Sequence, residues 1–288
     1  MADGLGFLTL AGRKIAYVDS GAVESPKTTP TVLLLHGFGA SLEFWRHAAE
    51  DLSDHYRVVA LDLPGFGRSD SPADFSIDAQ LPVLAGFLDA LGIERCHVVG
   101  HSMGTLVACE FTAAHPERVD RVVLASGPIT SVLSLLKRPV RTLLKRPQVA
   151  TFYVEAISAG KPVPPKTREA VLAKKSMRWT ALRAFAPNPW ELAEADVSVL
   201  LDAAGAPGAA PTLRQGKTYR PDAAYRELSR PVWLIGGTRD TICPPADLRE
   251  FSAAHTFVKG IHLIDGVGHL PMFEAREEFN ATLRSFLG

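Results

Sequence analysis

Gly100-His101-Ser102-Met103-Gly104 lies between a short apolar run and a helix-forming one, and no other segment restricts the fold of this chain as tightly. Arg95-Cys96-His97-Val98-Val99 reads as a buried strand, being short and rich in β-branched residues. Met103 to Ala114, with three alanines, a leucine and a glutamate and no proline, reads as a helix. A Gly-x-Ser-x-Gly between strand and helix forms a very tight turn with a strained serine backbone. Side chains at Gly100 and Gly104 would collide with the flanking elements, so both positions call for glycine. Such a turn lifts the Ser102 hydroxyl clear of the sheet and aims the unpaired N–H groups of a helix N-terminus at it.

The segments around this turn alternate strand and helix. Phe7–Leu10 and Lys14–Asp19 form an opening strand pair, followed by Thr31–Leu35, Tyr56–Leu61 and Arg121–Ala125 as further strands. Ser41–Leu52 has helical spacing, and Asp78–Leu91 carries an apolar stripe of Leu81, Leu84, Phe87, Leu88 and Leu91. Near-continuously apolar strands separated by helices indicate a mostly parallel sheet covered on both faces. The rhythm stops near Gly127 and resumes at Pro231 with strand Val232–Ile235, helix Ala246–Ala254, strand Ile261–Ile264 and a final helix from Pro271 to Leu287. Residues 1–127 and 229–288 are therefore expected to form an α/β core domain, with 128–228 a helical cap inserted into it. Charge separates the two as well. The insertion holds sixteen Lys and Arg against eight Asp and Glu, within a 288-residue chain whose 31 basic and 31 acidic residues balance.

Zero net charge gives no bulk attraction to nucleic acid. The three cysteines, Cys96, Cys109 and Cys243, have neither metal-ligand nor disulfide spacing, so no metal is expected. No stretch reaches the ~18 apolar residues of a membrane span, and the first residues lack the basic and apolar regions of a signal peptide. A cytoplasmic enzyme is the resulting expectation. Leu135-Leu136-Lys137-Arg138-Pro139 recurs as Leu143-Leu144-Lys145-Arg146-Pro147. A basic, leucine-rich stretch suits either weak contact with an anionic membrane surface or an acidic substrate. Its prolines interrupt any continuous helix, which favours a solvated cap face with buried leucines.

A nucleophilic serine needs a base, itself oriented by an acid. Of nine histidines, His269 in Gly266-Val267-Gly268-His269-Leu270-Pro271 lies in the turn after the last strand, late in the chain as the order serine, acid, histidine requires. His262 within a strand and His255 at a helix end are weaker candidates, and His36 and His101 read as orienting backbone. Asp240, just past strand Val232–Ile235, is the preferred acid; Asp265 is the alternative, only four residues from His269. An acyl-transfer intermediate needs two N–H donors for its oxyanion. Met103, after the serine, and Phe38, in His36-Gly37-Phe38-Gly39, would supply them. Phe152, Tyr153, Met177, Trp179, Phe185 and Trp190 could line an apolar pocket, although most of them are expected to pack the cap onto the core.

His36-Gly37-Phe38-Gly39, Asp62-Leu63-Pro64-Gly65-Phe66-Gly67-Arg68-Ser69, the Ser102 pentapeptide, Gly237-Thr238-Arg239-Asp240 and Gly268-His269-Leu270-Pro271 together resemble the α/β-hydrolase superfamily, in its lid-bearing serine hydrolase or esterase branch. The resemblance implies an eight-stranded, mostly parallel sheet with helices on both faces, a helical lid after the sixth strand, and no cofactor. It agrees with Ser102, Asp240 and His269 as a triad and Phe38 and Met103 as oxyanion donors; His36, Gly37, Phe152, Trp179 and Leu270 are the candidate pocket residues. The expected activity is hydrolysis of a small-molecule carboxylic ester, thioester or lactone of small to medium apolar size. A carbon–carbon hydrolase, a cofactor-free lyase or a perhydrolase on the same scaffold is the alternative, and a non-catalytic binding module a third. Haloalkane dehalogenases and epoxide hydrolases of the superfamily place aspartate where this chain has Ser102. Carbon–carbon hydrolases usually have Asn before the serine and Trp after the histidine, where this chain has His101 and Leu270. Thr105 replaces the glycine that usually follows the pentapeptide.

Overall fold

A computed structural model describes residues 4–21 and 29–288. Eight strands, β1 (Leu5–Leu10), β2 (Arg13–Asp19), β3 (Thr31–Leu35), β4 (Arg57–Leu61), β5 (Cys96–His101), β6 (Val119–Ala125), β7 (Val232–Gly237) and β8 (Val258–Ile264), make one sheet. Their order is β1-β2-β4-β3-β5-β6-β7-β8. β2 pairs antiparallel with both β1 and β4, and every other pairing is parallel. β3 places each of its five residues out of water because its alternate side chains serve different faces. Leu33 and Leu35 join one core cluster with Val98, Val122 and Leu234; Val32 and Leu34 join the other with Val99, Val123 and Ile235.

Helices cover both faces. α1 (Arg46–Leu52) packs with the second cluster, whereas α2 (Ile77–Ala90) and α3 (Met103–Ala114) pack with the first. Ser76 begins α2 by accepting the Ala79 N–H on its side chain at 3.2 Å, which satisfies one orphan donor of the first turn. Between β6 and β7 the chain is helical: α4 (Thr130–Lys137), α5 (Pro139–Lys145), α6 (Phe152–Ala159), α7 (Pro165–Ala173), α8 (Lys175–Leu182), α9 (Glu194–Asp202), α10 (Ala209–Gly216) and α11 (Asp222–Glu227). α12 (Pro245–Ala254), α13 (Pro271–Glu274) and α14 (Arg276–Leu287) complete the chain. No helix among the described residues is long and apolar enough to cross a membrane.

Three expected elements are corrected. Ser41–Leu52 is a short 3-10 turn, Leu42–Trp45, followed by α1. β8 starts three residues before Ile261, across Lys259 and Gly260, because an edge strand needs no continuous apolar run. The C-terminal helix is two helices broken at Ala275, which sits at φ −140° and ψ 57°. Of the four leucines in the echoed basic stretch, Leu135 is buried and Leu136 and Leu143 are half-buried. Leu144 is 82% exposed, against the expectation of burial.

Candidate active site

Ser102 stands at the end of β5 with φ 51° and ψ −118°, a region that a residue with a Cβ adopts only under constraint. The constraint is visible. The Ser102 N–H donates to Ala125 O at 3.0 Å, and the Ser102 carbonyl accepts from both Thr105 N, at 3.0 Å, and Thr105 Oγ1, at 2.6 Å. A Cβ on Gly100 would lie 2.4 Å from Gly104 O, and one on Gly104 would lie 2.3 Å from Leu35 O. The steric reading of the pentapeptide therefore holds at both glycines. Thr105 has its own compensation: Gly127 makes room for it, since a Cβ there would come within 2.4 Å of Thr105 Oγ1.

The turn after β7 brings Asp240 to His269. Asp240 Oδ1 accepts from the amides of Ile242 and Cys243 at 2.9 and 2.8 Å, which fixes the carboxylate. Its Oδ2 lies 2.8 Å from His269 Nδ1. Both residues are buried. With its Nδ1–H on Asp240, a neutral His269 keeps its lone pair at Nε2, a buried atom without a hydrogen-bond partner among the described residues. Burial pulls the His269 pKa down, but the charge and hydrogen bond of Asp240, aided by Glu155 and Glu274, raise it above the ordinary imidazole value. Asp265 instead accepts from Thr238 Oγ1 at 3.0 Å.

Two further residues support His269: His101, which the sequence places in the Ser102 pentapeptide as a backbone-orienting residue, and Glu274, which carries no motif and escaped the sequence reading. His101 has its pKa lowered to about 3, first by burial and then by the neighbouring His269, so its ring is neutral. Its Nε2–H donates to the His269 carbonyl at 2.9 Å. Glu274 grips the loop from the other side, accepting from Gly268 N at 2.9 Å and Leu270 N at 3.0 Å. Only its place five residues after His269, in a short proline-initiated helix, could have drawn attention to it. Glu274→Ala strands both amides, and a loss of about 1.5–3 kcal/mol of unfolding free energy is expected in urea titrations.

Ser102, Phe38 and Met103 line one cavity of about 510 Å³, together with Leu106, Ile129 and Phe152. A second cavity of about 290 Å³ is lined by His269, Leu270, Phe44, Phe185 and Glu155, and shares Phe38 with the first. Phe152 and Leu270 therefore line cavities, but three other pocket candidates do not. His36 is fully buried and spends both ring nitrogens on backbone, accepting from Leu63 N at 2.9 Å and donating to Gly37 O at 2.8 Å. Gly37 is packed behind the serine, where a Cβ would come within 3.0 Å of Ser102 Cβ. Trp179 is 42% exposed and stacks under Arg183, one turn along, at 4.6 Å. Tyr153, Met177 and Trp190 are exposed as well, so among the six aromatic and Met candidates only Phe152 and Phe185 face inward. Among the described residues no cluster of His, Cys, Asp or Glu could hold a metal ion.

A family model described as the alpha/beta hydrolase fold matches residues 30–275. A 2-hydroxy-6-oxononadienedioate/2-hydroxy-6-oxononatrienedioate hydrolase of Paraburkholderia phymatum is 27% identical over 302 residues, covering 96% of this chain and 91% of its own. Mouse epoxide hydrolase 4 is 33% identical over 136 residues, which is 46% of this chain and 37% of its own. Among solved structures, a bacterial membrane phospholipase A superposes with a TM-score of 0.70 at 25% identity, covering 99% of this chain and 86% of its own.

Proposed function

The chain belongs to the α/β-hydrolase fold family, and on that premise we propose that it is a serine hydrolase cleaving a carboxylic ester, thioester or lactone through an acyl-enzyme. The observation that carries this reading is the disposition of His269, with Nδ1 held by Asp240 and Nε2 buried and without a partner among the described residues. Ser102 Oγ attacks the acyl carbon while His269 Nε2 takes the hydroxyl proton. The amides of Met103 and Phe38 receive the negative charge that develops on the carbonyl oxygen. As the tetrahedral intermediate collapses, the C–O bond to the leaving group breaks and His269 returns the proton to that oxygen. A water then repeats the sequence on the acyl-Ser102 ester, releasing the acid and restoring the serine. Residues 128–228 act as a cap, whose Phe152, Val132 and Leu133 close the apolar cavity over Ser102.

His269 must be neutral to accept the proton, so activity is lost as pH falls through its pKa. Because that pKa is raised in the folded protein, the acid limb of kcat/KM is expected above the ordinary imidazole value of about 6.5. A pH–rate profile on a neutral ester checks this.

Hydrolysis of p-nitrophenyl esters from acetate to palmitate tests the reading. A chain-length optimum is expected, because an apolar cavity of about 510 Å³ holds a limited acyl chain. Inertness on the whole series would contradict the ester assignment. Carbon–carbon bond hydrolysis is the second reading, favoured by the alignment with the dienedioate hydrolase over 96% of this chain. A ring-fission diketone assayed beside the esters separates the two.

A further inference from the structure

Glu155 projects from α6 into the cavity that holds His269, and beyond its contribution to the raised His269 pKa the chemistry described above gives it no contact with substrate. It is 5% exposed, and its Oε2 has no hydrogen-bond partner among the described residues. A buried carboxyl oxygen without a partner is costly, and native proteins keep such groups where a function needs them. Its surroundings are otherwise largely apolar: Phe38, Phe44, Phe185 and Leu270 line the same cavity. Burial raises its pKa to about 7, with the imidazole of His269 pulling the other way, so the carboxyl and the ring sense each other directly.

The two cavities divide along the reaction. Ser102 and Met103 open on the larger one, where the acyl group and its oxyanion belong. His269 opens on the smaller one, and the group that receives a proton from His269 Nε2 is the departing alcohol. Resting on the acyl-enzyme reading, we propose that the smaller cavity is a leaving-group subsite in which Glu155 is the polar anchor, selecting alcohol portions that carry a hydrogen-bond donor over purely apolar ones. Esters of small polyols or amino alcohols have that chemistry: an O–H or N–H one or two carbons from the ester oxygen meets Glu155 Oε2 while the ester oxygen faces His269. The rest of the cavity wall is largely apolar, and a low local dielectric strengthens a hydrogen bond to the carboxylate.

Ethyl butyrate and 2-hydroxyethyl butyrate differ only in that donor. At about pH 8.5, where a carboxyl with a pKa of about 7 is ionised, wild-type kcat/KM is expected to be about tenfold higher for the hydroxyethyl ester, the effect of one hydrogen bond to an ionised group. Glu155→Leu should bring the ratio to near one, chiefly by loss on the hydroxyethyl ester, and Glu155→Gln, which keeps an acceptor oxygen, should retain part of it. Removing a carboxyl whose buried Oε2 has no partner among the described residues should also raise Tm by about 2–4 °C in Glu155→Leu. A wild-type ratio near one, or a ratio that survives Glu155→Leu, would overturn the proposal. So would equal losses on both esters together with a lowered Tm, which is the mark of a structural role. Calorimetric binding of the same two esters to Ser102→Ala reads the preference without turnover. A tenfold tighter hydroxyethyl ester there supports the subsite even if the acyl-enzyme reading fails, and equal binding rejects it even if that reading stands.

Discussion

Ser102→Ala is expected to lower kcat by about 10⁴-fold or more and to leave KM close to its wild-type value. Ser102 Oγ is the atom that forms the acyl bond, so its loss acts in the transition state and barely on substrate binding. Alanine keeps the Cβ and hence the strain of φ 51°, and the backbone bonds to Ala125 and Thr105 do not involve the hydroxyl. The variant should therefore fold and melt like wild type, which makes the kinetic loss interpretable. Residual hydrolysis, from the amides of Met103 and Phe38 acting on bound substrate, should stay well below a thousandth of the original rate. Retention of a tenth of the wild-type kcat would mean that another group is the nucleophile.

Asp247→Ala is expected to cost about 2–4 kcal/mol of stability, because it strips two buried donors of their acceptor and breaks an ion pair that ties the helical segment to α12. Asp247 comes from α12 and is fully buried. It accepts from Ser131 N at 2.7 Å and Ser131 Oγ at 2.6 Å, and it pairs with Arg146. Ser131 lies in the first turn of α4, so this carboxylate satisfies an orphan N–H of a helix that also lines the Ser102 cavity. Alanine leaves the Ser131 N–H and hydroxyl without their acceptor and removes one of the two carboxylates that hold a guanidinium only 20% exposed, the other being Glu250. Urea unfolding should show the loss, and the double variant Asp247→Leu with Arg146→Met should recover part of it, because apolar packing then replaces both members of the broken pair. A loss below about 1 kcal/mol in the single variant would show that solvent reaches the pair.

Local steric demands made much of this molecule legible. Gly100 and Gly104 can be read from sequence because no other residue tolerates contacts near 2.4 Å with backbone. The inner strands are legible because both of their faces are covered, which leaves continuous apolar runs such as Thr31–Leu35. Asp240 and His269 could be ordered by their places after β7 and β8, and the 2.8 Å contact agrees with that order. What stayed hidden depends on tertiary context. Whether Trp179 points in or out is set by how α8 rolls against its neighbours, and an apolar pattern alone does not fix that roll. Glu155 sits in the otherwise mostly apolar stretch Phe152–Ala159, where a single acid reads as a solvent-facing position until the packing encloses it. Glu274 shows its role only when the chain folds its carboxylate back onto Gly268 and Leu270.

Covalent labelling of the full chain with diisopropyl fluorophosphate, followed by peptide mass spectrometry, tests the activated serine most directly. An activated nucleophile displaces fluoride from phosphorus and keeps the phosphoryl group, whereas an ordinary serine stays inert. One adduct per chain on the Ser102 peptide is the expected result, absent from Ser102→Ala and formed more slowly at acid pH, where His269 is protonated. No adduct under conditions where the protein is folded, or an adduct on a different residue, would contradict a nucleophilic Ser102 served by His269 and Asp240.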